Sequence, residues 1–230
     1  MDEHRSGPRR QVGATLQGRP DRQAASRKLA STGISRLALY HRTLREMEER
    51  GEPLTSSEAL GELTGHSGDQ VRRDLTAFGS FGVPGTGYPV KGLRESIGKI
   101  LGKERTWSVV IIGAGNLGSA LLAYSGFRLQ GYVVVGAFDA DPAKIGRRVG
   151  DLTVQAMDEL ADVVKAQKVD LAVLTVPASA AQAAAEAATS AGIEGVLNFA
   201  PARVTVPEGV SVESVDLSVQ LDRLAFRLTQ

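Results

Sequence analysis

Trp107-Ser-Val-Val-Ile-Ile-Gly-Ala-Gly-Asn-Leu-Gly118 decides the fold of the second half of this chain. Residues 108–112 form an apolar, β-branched run that reads as a strand buried on both faces, and three glycines follow it at once in the spacing Gly-x-Gly-x-x-Gly. That spacing alone is weak evidence. Directly after a strand and opening a helix, it meets the context of a dinucleotide fingerprint. Gly113 allows the tight turn, Gly115 lets the backbone approach a pyrophosphate, and Gly118 lets helix and strand pack closely. The helix start adds amide donors and partial positive charge for the phosphates.

Toward the C-terminus the same texture recurs at Val133–Phe138, Leu171–Val176 and Val196–Phe199, with helical patterns between, notably the Ala-rich 179–191. Buried strands alternating with helices predict a parallel α/β sheet starting near residue 106. The second strand ends at Phe138 and Asp139 follows it, 21 residues after Gly118, close to the spacing of a carboxylate on ribose hydroxyls. A carboxylate there favours NAD(H) over NADP(H), with Arg147 and Arg148 as the basic pair that would serve a 2′-phosphate instead. Asp141-Pro142 fits a helix N-cap followed by Pro at the first helical position. Catalytic equipment is absent: there is no Tyr-x-x-x-Lys pair and no His beyond His66, and Tyr124, Lys144, Lys165 and Lys168 form no acid/base set. No catalytic residue is assigned, and the sheet reads as a cofactor sensor.

Toward the N-terminus the chemistry changes sign. The chain has 230 residues, 27 Lys/Arg and 26 Asp/Glu, yet residues 1–105 carry net +5 and residues 106–230 net −4. A basic half suggests nucleic acid, with an inert basic tail as the bland alternative. Residues 1–27 lack periodicity and are expected to be disordered. Ile34, Leu37, Tyr40, Leu44 and Met47 mark an amphipathic helix over about 33–50, stopped by Gly51 and Pro53. Thr55-Ser-Ser-Glu58 and Ser67-Gly-Asp-Gln70 are capping-box patterns that open two more helices around Gly65. Three short helices with a tight turn predict a helix-turn-helix. In the third, Val71, Leu75 and Phe78 share the buried stripe, Arg73 and Thr76 point away, and Arg72 flanks them. Such a helix suits a major groove. The alternative is a solvated face with Arg72 and Arg73 paired to Asp69 and Asp74. Residues 79–90 hold Gly79, Gly82, Gly85 and Gly87 and suggest a hairpin, the wing of a winged helix, or else a connector. A basic helix over 91–105 leads into the sheet domain.

The order of these motifs resembles the Rex family of redox-sensing transcriptional repressors, from about Ile34 to Phe226. The residues that carry it are Ile-Ser-Arg-Leu-x-x-Tyr-x-Arg (34–42), Thr-Ser-Ser-Glu-x-Leu (55–60), Gln-Val-Arg-Arg-Asp-Leu (70–75), Phe-Gly-Ser-Phe-Gly (78–82) and Gly-Tyr-x-Val (87–90). They continue with Gly-x-Gly-x-Leu-Gly-Ser-Ala-Leu (113–121), Phe-Asp-x-Asp-Pro-x-Lys-Ile-Gly (138–146), Leu-Thr-Val-Pro-Ala (174–178), Leu-Asn-Phe-Ala-Pro (197–201) and Val-Asp-Leu (215–217).

The resemblance implies a homodimer that binds dyad-symmetric operator DNA when NADH is low and is released by NADH. It implies NADH and NAD+ contacts from Gly113, Ala114, Gly115, Asn116, Leu117, Gly118, Tyr124, Asp139, Asp141, Thr175, Val176, Pro177 and Asn198, with Tyr124 near the nicotinamide. It implies DNA contacts from Ser57, Gln70, Arg72, Arg73, Thr76, Gly87 and Tyr88, and coupling of the two domains through Arg42 and Asp216. From the sequence alone, Tyr124 also reads as a core aromatic within a helix, and Asp216 as an N-cap. The last helix, 217–228, would swap onto the partner through Leu217, Leu221, Leu224 and Leu228, packing within its own chain being the alternative. Arg73 stands where the family commonly has Lys, Ala77 where Tyr is frequent, and residues 31–33 lack a usual proline.

The expected architecture is therefore α/β: a basic tail (1–27), a winged-helix DNA-binding domain (28–105), a Rossmann-like sheet domain (106–216) and a terminal helix (217–230). Two other functions compete. One is an NAD-dependent oxidoreductase with a basic accessory domain, which sustained turnover of a small hydroxy or carbonyl substrate would reveal. The other is a CoA-binding protein, which binding CoA more tightly than NADH would reveal. With no cysteine and three scattered histidines, neither a disulfide scaffold nor a metal site is expected. The absence of a long apolar run or a secretory h-region predicts a soluble cytoplasmic protein with no membrane partner.

Overall fold

The computed structural model describes residues 20–79, 81 and 87–229, with side chains from Thr32 onward. The chain divides into two compact units, 1–102 and 103–230.

The first unit is helical. α1 (Pro20–Glu49) runs into β1 (Leu54–Thr55), α2 (Ser57–Thr64) and α3 (Gly68–Phe78), and β2 (Tyr88–Pro89) leads into α4 (Val90–Ile100). Residues 20–27, expected to be disordered, belong to α1, while 1–19 lie outside the described residues. Leu37, Tyr40, Leu44 and Met47 of α1 meet Leu60, Val71, Leu75, Leu93 and Ile97 in one buried cluster. Ile34, expected on that stripe, is exposed.

Local chemistry fixes the turn between α2 and α3. Gly65 closes α2 in the left-handed region (φ 71°), and Gly61 lies so near the next turn that an added Cβ would stand 2.5 Å from the His66 carbonyl. Ser56, not Thr55, caps α2, because Thr55 is held in β1 opposite Tyr88. Ser67 caps α3 by accepting from the Gln70 amide, but the Gln70 side chain turns to Asp74 instead of completing a capping box. The hairpin expected within 79–90 falls largely outside the described residues. Its described strand, β2, pairs antiparallel with β1, which gives a small sheet beside the three helices.

The second unit is a seven-stranded sheet. β3 (Trp107–Ile112) leads through α5 (Asn116–Leu122) and α6 (Gly126–Leu129) to β4 (Tyr132–Asp139), and β5 (Arg148–Val149) turns back into β6 (Leu152–Ala156). α7 (Leu160–Gln167), β7 (Leu171–Leu174), α8 (Ala181–Ser190), β8 (Gly195–Asn198), β9 (Ser211–Ser214) and α9 (Leu217–Leu228) complete it. The order is β5-β6-β4-β3-β7-β8-β9, parallel except for the β5–β6 pair. Leaving β5 aside, this is the doubly wound order, whose switch point lies between β3 and β7.

The two faces are covered unequally. Small side chains, Ala181, Ala184, Ala185 and Ala188, let α8 lie close on Ile112, Leu174 and Val196, with α7 beside it through Leu160 and Val164. The opposite face, built on Val109, Ile111 and Val173, has only partly buried apolar neighbours, among them Leu121, Tyr132 and Leu197. An apolar groove of about 430 Å³ remains open there, between Phe127, Leu171 and Leu197. α9 is exposed along its whole length.

Candidate nucleotide site and nucleic-acid interface

β3 and β7 part at the switch point, and the loop after β3 turns across the gap. Gly113 sits at φ 106°, and an added Cβ would meet the Thr175 carbonyl at 2.8 Å. At Gly118 the Cβ would stand 1.9 Å from the Gly113 carbonyl, so α5 reaches the strand only because this residue is glycine. Gly115 faces open space instead, with no atom within 4 Å of an added Cβ. The outward side of the loop is therefore free for a phosphate, and the first-turn amides at Asn116, Leu117 and Gly118 have no acceptor within α5.

The loop is held before any ligand arrives. Thr175 donates its hydroxyl to the Gly113 carbonyl (2.7 Å) and to the Ile112 carbonyl (3.2 Å). Asp139 accepts from the Ala114 amide (2.7 Å), the Asp141 amide (2.9 Å) and Lys144 Nζ (3.0 Å). Burial works to raise the Asp139 pKa, but these donors and the Lys144 charge outweigh it and hold the carboxyl below its ordinary value.

Beside the loop lies a cavity of about 570 Å³ reaching from Gly113 and Asp139 to Val176, Pro177 and the α8 alanines. Asp141 and Lys144 line it too, whereas Arg147 and Arg148 do not. Asp139 is thus a loop-holding residue that borders the cavity, and the more exposed Asp141 and Lys144 present polar groups to it. Lys144 was missed as a site residue. The Asp-x-Asp-x-x-Lys spacing of 139–144 was its available signal.

Asp141, at that cavity, caps the turn at Ala143 and not a helix. The remaining expected residues stand elsewhere. Asn198 is fully buried, and its amide bridges Ala200 and Ala202 within its own loop. Tyr124 is neither within a helix nor in the core: it stands in the break between α5 and α6, 60% exposed, edge-on to Phe127. Asp216 caps α9 through the Ser218 and Val219 amides and the Ser218 hydroxyl, a local role that accounts for its lowered pKa. Arg42 is exposed on α1. No group of three or more His, Asp or Glu suited to a metal occurs among the described residues.

In the helical unit, α3 presents Arg72, Arg73 and Thr76 outward while Val71 and Leu75 are buried. Asp74, which the alternative reading made a surface partner for the arginines, is buried. It accepts two bonds from Arg36 (2.5 and 2.6 Å), one from Tyr40 (2.9 Å) and one from Gln70 (2.8 Å). Gln70 is therefore tied from inside, and its carbonyl accepts from Arg73 (3.1 Å). Ser57 is buried beneath Arg72. At Gly87 (φ 89°) an added Cβ would stand 2.5 Å from the Thr55 carbonyl, so glycine is required where β2 meets β1.

Two family models match: "Putative DNA-binding protein N-terminus" over residues 28–76 and "CoA binding domain" over 104–202. The redox-sensing transcriptional repressor Rex of Carboxydothermus hydrogenoformans is 44% identical over 87% of this chain and 97% of its own. The chain belongs to the Rex family. Among solved Rex structures, RSP in complex with β-NAD+ and operator DNA is 37% identical, with a TM-score of 0.80 over 86% of this chain and 91% of its own. RSP in complex with β-NADH is 36% identical, with a TM-score of 0.76 over 86% of this chain and 92% of its own. Rex membership fits a chain made of a helical unit and a doubly wound sheet unit, and within the described residues no helix is long and apolar enough to cross a membrane.

Proposed function

We propose that this chain is a repressor that binds operator DNA when NADH is low and leaves it when NADH binds. The observation that carries this reading is the similarity, over 86% of the chain, to a Rex repressor solved with both NAD+ and operator DNA. It is a regulator, not an enzyme, and works in the cytoplasm where its DNA is.

The pyrophosphate is assigned to the outward side of Gly113–Gly118, and the adenosine half to the cavity of Asp141, Lys144, Val176 and Pro177. Asp139 and Thr175 keep the loop in its binding shape, so little ordering cost falls on the cofactor. Carboxylates at Asp139 and Asp141 disfavour a 2′-phosphate. Tyr124, exposed beside the loop helix, is assigned to the nicotinamide end. NAD+ and NADH differ there by one ring charge, and a tenfold preference between two protein states needs about 1.4 kcal/mol of differential affinity.

α9 is assigned to a second copy of the chain. Leu217, Leu221, Leu224, Phe226 and Leu228 are all more than half exposed on an isolated helix, and the less covered sheet face is apolar as well. A homodimer then presents two α3 helices to successive major grooves, about 34–36 Å apart. Gly87 and Tyr88 place the wing on the flanking DNA, and Arg42 and Asp216 are assigned to coupling the domains.

The test is a titration of selected dyad-symmetric DNA at fixed salt with NADH, NAD+, NADPH and CoA. Release by NADH alone is expected. DNA binding that ignores all four ligands would overturn the sensor reading, and release by CoA would redirect it to the other cofactor that such sheets bind.

A further inference from the structure

Where a groove-reading helix needs positive charge, the first turn of α3 is closed over by two carboxylates. Arg72 donates through one terminal nitrogen to Ser57 Oγ (2.8 Å) and to Glu58, and through the other to Asp69. Ser57 in turn donates to Glu58 Oε2 (3.1 Å). Gly68 lets Glu58 sit close to the start of α3: an added Cβ there would stand 3.0 Å from Glu58 Oε1, tight enough that this side chain would have to shift by a few tenths of an ångström. The three charged groups together carry −1. Arg73, one residue on, has the neutral amide of Gln70 as its partner.

We infer that Glu58 and Asp69 form an acidic bracket that withholds Arg72 from phosphate and turns it into a base-reading residue. The inference rests on the reading that α3 enters the major groove. A phosphate approaching Arg72 meets two carboxylates of its own sign, and displacing them returns no net charge pairing. A guanine edge offers neutral acceptors and is not repelled. Non-specific DNA is held almost wholly by phosphate contacts, so the bracket weakens that background more than it weakens operator binding. Its side chains are 48% (Arg72), 60% (Glu58) and 71% (Asp69) exposed, so the bracket adds little to folding, as is usual for surface ion pairs. Hydrogen bonding from Arg72 holds the Glu58 pKa down to about 2, so Glu58 stays charged wherever duplex DNA is stable. Glu58 and Asp69 are positioning residues that act through Arg72.

The experiment compares the full chain with Glu58→Gln and Arg72→Ala on a selected operator duplex and on a scrambled duplex of equal length, over a range of salt. Glu58→Gln keeps the shape and removes the charge. It is expected to bind scrambled DNA about fivefold more tightly while operator affinity changes less than about twofold. Its log–log salt slope should steepen by about 0.9, one extra phosphate. Arg72→Ala is expected to lose operator affinity by about tenfold or more. If Arg72→Ala loses the operator but Glu58→Gln leaves scrambled-DNA affinity and salt slope unchanged, the bracket is wrong and the groove reading stands. If Arg72→Ala binds the operator normally, the groove reading of Arg72 falls and the bracket with it. Asp69→Asn repeats the test at the most exposed of the three groups should Glu58→Gln fold poorly.

Discussion

Asp139 and Asp74 are the two buried carboxylates on which the local geometry turns, one in each unit. Asp139→Asn keeps the shape of the side chain but can no longer accept from all three donors. We expect NADH affinity to fall at least about tenfold and the domain to lose about 1–2 kcal/mol, read by cofactor titration and thermal unfolding. The pH dependence follows from the sign of the shift. A carboxylate whose folded pKa lies below its unfolded value stabilises fully above the unfolded value, near 4, and loses that contribution as pH falls through the folded value. The gap between the protein and Asp139→Asn should therefore be constant from pH 5 to 8 and narrow under stronger acid. Asp74 binds α3 to α1, and the hydroxyl of Tyr40, buried and donating to it, has its pKa pushed well above the ordinary value. Tyr40→Phe should cost about 1 kcal/mol, because Arg36 and Gln70 still pair the charge, whereas Asp74→Asn should cost about 2 kcal/mol or more, because it leaves Arg36 without its counter-charge. Chemical denaturation of the three proteins checks that order.

Among the elements, the glycine loop separates structural from ligand-binding glycines. Gly118→Ala forces a Cβ into the Gly113 carbonyl and should destabilise the sheet domain and abolish NADH binding together. Gly115→Ala meets open space at an ordinary φ of −76° and should leave the unfolding midpoint unchanged while weakening NADH at least about tenfold. Equal loss of stability in both variants would refute this division. The same loop shows what a sequence discloses. The strand, the turn and the opening helix were legible because they are local: β-branched residues, then glycines, at fixed spacing. The span of α9, Leu217–Leu228, was legible for the same reason. The β5–β6 pair was not, because β5 is only two residues long and turns straight back on its neighbour, and β9 was not, being a four-residue strand whose partner β8 lies 16 residues away. Asp74 stood in the sequence only as an alternative surface partner for the arginines: helical periodicity places it toward the inward side, but nothing in 70–78 announces Arg36, 38 residues away, as the donor that makes its burial tolerable. Tyr124 was placed within a helix because nothing local marks the end of α5 at Leu122.

For the whole molecule, the exposed leucines of α9 and the less covered sheet face belong to one argument about assembly. Leu221→Glu with Leu224→Glu should yield a monomer by sedimentation and lose operator affinity by far more than either charge change would cause through the field, since a single half-site contact replaces two. A persistent dimer in that variant would assign α9 another role. The uneven coat of the sheet also has a consequence for dilution. A domain that completes its apolar cover only with a second copy has an unfolding midpoint that climbs with protein concentration, as mass action requires. On the proposed dimer, the single protomer is the less stable species, and dilution shifts the population from paired to single chains, so occupancy of a two-part operator falls with copy number more steeply than that of a one-to-one binder.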